Sequence, residues 1–259
     1  MPFATWVAAM LFATLADTAP APTPSSPPIA GAVAPAAKDE KALALLRKMS
    51  DRLQGARRFS FKARTSREVL VEGGAQATFF DELRVSVQRP DRLAATRSGD
   101  MPQVRLTYDG KAITAYAPGK GLWGTTAAPP TIDAMIVAAY ERAGISFPAD
   151  EMLVADPYAA MTKDLTSAIL VGQTTIGGRK ADHLLLTSPG MEIQVWLDVK
   201  SGLPVMTALV YLDDPRKPHF YLEYLEWKLD PKFPASTFAL PRPAGAEQTD
   251  LAAIARAVQ

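Results

Sequence analysis

A chain of 259 residues, 48% hydrophobic and 21% charged, carries enough apolar material for one large domain or two small ones, which rules out wholesale disorder. Its 28 Lys and Arg against 27 Asp and Glu give a net charge of +1, without the concentrated positive charge of a dedicated nucleic-acid binder. Cysteine is absent, which excludes disulfides, iron–sulfur clusters, thiolate zinc and a thiol nucleophile, and two histidines, His183 and His219, are too few for a histidine-rich metal site.

From Phe3 to Ala16 the chain is apolar except for Thr5 and Thr14, and no charged side chain precedes Asp17. The run falls short of the roughly 20 residues that span a bilayer and has the form of a secretory apolar region followed by small residues, although its start lacks Lys and Arg. Residues 1–21 are therefore expected to be a cleaved signal peptide, the alternative being an uncleaved anchor. The prolines, serines and alanines of residues 22–37 offer nothing to bury and are expected to form a semi-extended linker. Residues 38–259 are then expected to fold as a single domain.

The first element is a helix over 39–54. Ala42, Leu45, Leu46, Met49 and Leu53 make one apolar stripe, Asp39 can cap its start and Gly55 can end it. The period then changes to two. Phe59, Phe61 and Ala63 alternate with polar residues, and a strand runs on towards a turn at Gly73-Gly74. Leu83, Val85 and Val87 follow, then a short strand at 92–97, then Val104, Leu106 and Tyr108. Asp109-Gly110 predicts a type I′ hairpin turn into 112–116, and Pro118 to Gly121 predicts another turn into 122–126. Residues 127–166 are expected to form a helical insert. Thr131 caps a helix carrying Ile132, Met135, Ile136 and Tyr140 and ending at Gly144, and Asp156-Pro157 starts a second, shorter helix. Strands return at 169–176, 179–186, 192–198, 203–212 and 219–229, with turns at Gly177-Gly178, Pro189-Gly190 and Ser201-Gly202. Prolines 231, 234, 241 and 243 favour an irregular crossing, and residues 251–258 a last amphipathic helix. This totals about ten or eleven antiparallel strands, a mainly β (α+β) fold.

The chemistry-bearing residues make no recognisable catalytic pattern. His183 and Asp182 are neighbours in a strand and point to opposite faces, so the carboxylate cannot orient the imidazole. The pairs Asp81-Glu82, Asp150-Glu151 and Asp213-Asp214 are adjacent in sequence, which does not place two carboxylates across a substrate. Gly119 and Gly121, which bracket Lys120, lie in a predicted hairpin turn with no following helix and so make no phosphate nest, and no serine-hydrolase or zinc-protease spacing occurs. The basic residues between Lys41 and Arg67 read as a solvated face. The remaining capacity is apolar: aromatic side chains and methionines, with Met135, Met152 and Met161 of the helical insert suited to an adaptable pocket wall.

The runs ALALLRKMSDRLQGARRFSFKA at 42–63, VQRPDRLAATRSGD at 87–100, LTYDGKAITAYAPGKGLWGTTAAPPTID at 106–133, ADPYAAM at 155–161, GGRKADHLLL at 177–186, VWLDVKSGLPVM at 195–206 and EWKLDPKFPASTFALPRPAGA at 226–246 resemble, in the same order, a family of predicted periplasmic proteins known as domain of unknown function 2092. The segment LDVKSGLP also resembles a motif of the LolA/LolB-like lipoprotein carriers. That resemblance implies a curved antiparallel sheet, an incomplete barrel, with the N-terminal helix and the helical insert on its concave, apolar side. Lipoprotein members of that group carry an N-terminal cysteine that this chain lacks, which implies a periplasmic protein with no stable membrane span after cleavage.

The expected function is that of a non-catalytic periplasmic binder or carrier of a hydrophobic ligand, a lipid, an acyl chain or an acylated protein, without cofactor or metal. Leu83, Val85, Leu106, Tyr108, Ile193, Val195 and Leu197 are the candidate walls on strand phase, and Ile132, Met135, Ile136 and Tyr140 the candidate lid. The alternative is an envelope protein–protein interaction or stress-sensing module, since regulators that bind anti-sigma factors are similar to the same carrier fold. A nucleic-acid partner is not expected.

Overall fold

A computed structural model describes residues 38–147 and 150–258. The expected signal peptide (1–21) and linker (22–37) lie outside the described residues. Helix α1 (Glu40–Gln54) starts as expected, with the Asp39 carboxylate accepting from the Lys41 N–H at 2.8 Å, and buries Ala42, Leu46, Met49 and Leu53. Six strands follow, β1 (Arg58–Leu70), β2 (Gln76–Gln88), β3 (Arg92–Gly99), β4 (Val104–Tyr108), β5 (Ala112–Ala117) and β6 (Leu122–Ala127). The insert contains α2 (Ile132–Ala143), a 3-10 turn at Asp150–Met152 and α3 (Pro157–Thr162). A second meander comprises β7 (Ser167–Ile176), β8 (Arg179–Ser188), β9 (Met191–Asp198), β10 (Pro204–Tyr211) and β11 (His219–Leu229), and β12 (Glu247–Gln248) precedes α4 (Leu251–Ala257).

All twelve strands form one curved sheet in the order β12-β6-β5-β4-β3-β2-β1-β11-β10-β9-β8-β7, and its two ends do not pair. Strand β1 therefore lies near the centre of the sheet, from which the chain winds outward to β6, crosses to the opposite edge at β7 and winds back until β11 pairs with β1. That central seam is aromatic. Phe61 of β1 stands opposite Trp227 of β11, with ring centroids 4.9 Å apart, and Tyr224 packs on both, 5.2 Å from Phe61 and 5.0 Å from Trp227. Such pairs add to the burial of the rings themselves.

The crossing from β6 to β7 brings the insert over the inner face. Its anchors are polar. Arg89 at the end of β2 donates to the carbonyls of Leu153 and Val154 at 3.1 and 2.6 Å, Asp133 accepts from the Ala155 N–H at 3.0 Å, and Ser50 of α1 accepts from the Tyr158 N–H at 2.9 Å. Thr131 and Asp156 are the N-caps expected from the sequence, accepting from Ala134 and Ala159. Under these elements one continuous apolar core runs from α1 to α4.

The turn at Asp109 differs from the type I′ expectation. Gly110 has φ of +90°, but Asp109 is not in the left-handed region, and Lys111 is part of a three-residue loop. The reason is the Asp109 side chain, which accepts from both the Lys111 and Ala112 N–H groups at 2.9 Å and so makes an Asx-type turn instead. Gly177 and Gly178, both at positive φ, do form the two-residue turn between β7 and β8. The proline-rich stretch after β11 returns past the outer side of β3 to β5 through a 3-10 turn at Ala235–Phe238, and Trp123 donates to the Leu240 carbonyl at 3.2 Å. It then adds β12 parallel to β6 and turns into α4, capped by Asp250, whose carboxylate accepts from Ala253 at 2.6 Å.

Candidate functional site

On the inner face of β1 to β5, strand alternation places Phe59, Phe61, Ala63, Thr65 and Arg67 of β1 on one side, with Asp81, Leu83, Val85 and Val87 of β2 and Leu93, Ala95 and Arg97 of β3 beside them. Near the seam these side chains meet the insert and the apolar core. Further out, towards the ends of β1 and β3, the sheet is covered by α4 and by residues 144–147 that follow α2, and a half-enclosed cavity of about 240 Å³ lies between.

The walls are mainly apolar. Leu83, Ala95, Val104, Leu106 and Ala115 line the sheet side, and Ile145, Phe147, Leu251, Ile254 and Val258 the helical side. The segment 144–147 leaves α2 at Gly144, whose φ of +63° lets the chain turn sharply, with its N–H donating to the Tyr140 carbonyl at 2.9 Å. Helix α4 lies close because Gly124 of β6 presents no side chain to it.

Three charged residues interrupt this lining: Arg67, Asp81 and Arg97. Asp81 is 4% exposed, and its Oδ1 accepts from the Met101 N–H at 3.1 Å. Thr65, opposite it on β1, donates from its hydroxyl to the Asp81 carbonyl at 3.4 Å. Arg97 Nη2 donates to the carbonyls of Pro102 at 3.2 Å and Val258 at 2.6 Å, which fastens the end of α4 over the cavity. Burial pushes the Arg97 pKa below the ordinary arginine value, the charge of Asp81 opposes that shift and the charge of Arg67 adds to it. Arg97 Nε and both Nε and Nη2 of Arg67 are buried without a hydrogen-bond partner.

The candidate residues named from strand phase fall into three groups. Leu83 and Leu106 line the cavity. Val85, Tyr108, Ile132, Met135, Ile136, Ile193, Val195 and Leu197 are buried in the common core, with Ile193, Val195 and Leu197 on β9 in the other half of the sheet, which contributes no lining residue from β7 to β10. Tyr140 is 65% exposed on the outer side of α2. The methionines expected to wall a pocket, Met135, Met152 and Met161, are likewise packed in the core. The covering elements are α4 and residues 144–147 rather than the buried face of α2. Sequence reasoning read Arg67 as part of a solvated basic face and Asp81 as a solvated carboxylate and did not single out Arg97, whereas all three line the cavity. Their signal was charge at an inward strand position, two residues beyond Thr65, two before Leu83 and two beyond Ala95.

His183 Nε2 pairs with Gln194 Oε1 at 2.9 Å and its ring stacks on Trp196 at 4.2 Å, while Asp182 accepts from Gln173 at 2.8 Å. Histidine and carboxylate thus have separate structural partners. Among the described residues there is no group of three or more His, Asp or Glu placed to hold a metal ion, and no helix long and apolar enough to cross a membrane.

An open, curved, mainly antiparallel sheet with a mainly apolar cavity held under α4 defines a half-barrel. The chain belongs to the family described as "Predicted periplasmic protein (DUF2092)", whose profile matches residues 42–252. Curated proteins yield no match. Among solved structures, the chain is similar to an uncharacterized conserved protein from Thermus thermophilus, at 12% identity and a TM-score of 0.46, over 82% of this chain and 98% of that one. It is similar to the Mycobacterium tuberculosis lipoprotein LppX at 16% identity and a TM-score of 0.46, over 73% and 96% of the two chains. It also resembles a chain of the MucA/MucB complex of Pseudomonas aeruginosa, at 14% identity and a TM-score of 0.44, over 80% of this chain and 62% of that one.

Proposed function

We propose that this protein is a non-catalytic periplasmic binding or carrier protein for a hydrophobic ligand, exported with residues 1–21 removed and residues 22–37 leading into one domain. The observation that carries the reading is the cavity between the inner face of β1 to β5 and α4. At about 240 Å³ it lies just below the roughly 300–1,000 Å³ of small-molecule sites. Burying an acyl chain against such walls yields about 25 cal/mol per Å² of apolar surface removed from water. A protein that stored this space without a ligand would give up packing contacts around it.

Native mass spectrometry of the mature protein, purified from periplasm without detergent, tests the reading. A discrete mass excess of lipid size that disappears on organic extraction is the expected result. A bare mass, together with no uptake of an added acyl probe, overturns it and favours the protein-interaction module instead.

A further inference from the structure

The cavity wall holds more polarity than an acyl-chain site needs. Thr65, Asp81 and Gly99 stand in one cross-strand row. Arg67 lies two residues beyond Thr65 on β1, and Arg97 two residues before Gly99 on β3, so the arginines flank Asp81 diagonally on the inner face. The three are the charged members of the lining. Two guanidinium charges against one carboxylate leave one positive charge in a mainly apolar space.

These charges are not consumed by the fold. Asp81 is held by the Met101 N–H and Arg97 spends one nitrogen on two carbonyls. Arg67 Nε, Arg67 Nη2 and Arg97 Nε are buried and unpartnered. A buried donor without an acceptor is costly, and guanidinium donors are the groups best matched to carboxylate and phosphate oxygens. The cavity volume suits one chain rather than two.

Resting on the reading of the cavity as a hydrophobic-ligand site, we propose that its ligand is a single-chain anionic amphiphile. A carboxylate or phosphate head accepts from Arg67 and Arg97, and the chain lies along Leu83, Leu106 and Ile254. The net charge of the site selects an anionic head over a neutral one, and the apolar walls select a chain over a small hydrophilic anion. Arg67 carries most of this selectivity, because Arg97 is already engaged with the end of α4.

Isothermal calorimetry on the mature protein tests this with dodecanoate, dodecyl phosphate and dodecanol, each below its aggregation concentration. At least one of the two anions should bind about tenfold or more tighter than dodecanol, the scale of a charge-assisted hydrogen bond. Whichever anion binds tighter assigns the head as carboxylate or phosphate. Arg67→Met should bring the anions down to the affinity of dodecanol at an unchanged melting temperature, and Arg67→Lys should restore part of the preference. Equal binding of dodecanol and both anions, or a preference that survives Arg67→Met, overturns the head-group assignment and leaves the hydrophobic cavity standing. No binding of any of the three overturns both.

Discussion

Gly124 of β6 lies so close to Thr249 that a Cβ there would stand 2.5 Å from the Thr249 carbonyl oxygen and 3.1 Å from Ile254 Cδ1. The Thr249 N–H in turn donates to the Trp123 carbonyl at 2.9 Å, so backbone meets backbone at this crossing. This missing side chain sets the height of α4 above the sheet, and Ile254 is both its contact and a wall of the cavity. Gly124→Ala cannot be absorbed by a flexible side chain. It is expected to lift β12 and α4 and to cost about 1–3 kcal/mol, the range of overpacking substitutions. Chemical denaturation measures the loss, and acyl-probe binding should weaken with it.

Phe61 joins the two meanders. Its ring is 5% exposed and touches Tyr224 and Trp227 across the β1–β11 pairing, where the strands also shift register between Lys62 and Ala63. Phe61→Ala should cost about 3–5 kcal/mol, the range for deleting a buried aromatic ring. Urea unfolding followed by tryptophan fluorescence reports it directly, since Trp227 is in the same cluster.

Burial, and then the charge of the adjacent Asp150, push the Glu151 carboxyl up to about 7 from an ordinary value of 4.5. The folded chain therefore holds this proton more firmly than the unfolded one. The associated stabilisation is complete below about pH 4.5 and is lost as pH rises through about 7. Asp150 is shifted in the same direction by burial. Stability is expected to fall between these pH values by roughly 3 kcal/mol, and Glu151→Gln should flatten that segment of the curve. Denaturant midpoints at a series of pH values test both statements.

The ties between α1 and the insert converge on Asp156. It caps α3 by accepting from Ala159 at 2.9 Å and also accepts from Gln54 at 3.2 Å and Ser50 at 3.4 Å. Asp156→Ala should lower stability by about 1 kcal/mol, the usual worth of an N-cap, and Asp156→Asn should recover most of it. Thermal unfolding of the two variants separates the cap from a merely steric effect.

The order and type of the elements were legible in the sequence because period and turn chemistry agree. The alternations at Phe59-Phe61-Ala63 and Leu83-Val85-Val87, the caps Thr131 and Asp156, and the glycine pair 177-178 all appear where expected. The cavity was less legible. Strand phase identifies which side of Leu83 or Val195 faces inward, but the covering elements decide whether an inward residue meets the core or open space. Val195 is buried in the core while Leu83 borders the cavity. The cover over Leu83 depends on β12, a two-residue strand with no alternation to detect, and on the close approach of Gly124 to Thr249. Arg67 and Arg97 could have been found by extending the alternation past the apolar run, four residues beyond Ala63 and two beyond Ala95.

The most direct test of the binding account is a crystal structure with ω-bromododecanoate, whose bromine marks the chain end by its anomalous signal. The expected result is bromine among Leu83, Leu106 and Ile254, with the carboxylate oxygens within hydrogen-bond distance of Arg67. Bromine on the exposed face of α2 beside Val137 and Tyr140, or none in the cavity at ligand saturation, would contradict it.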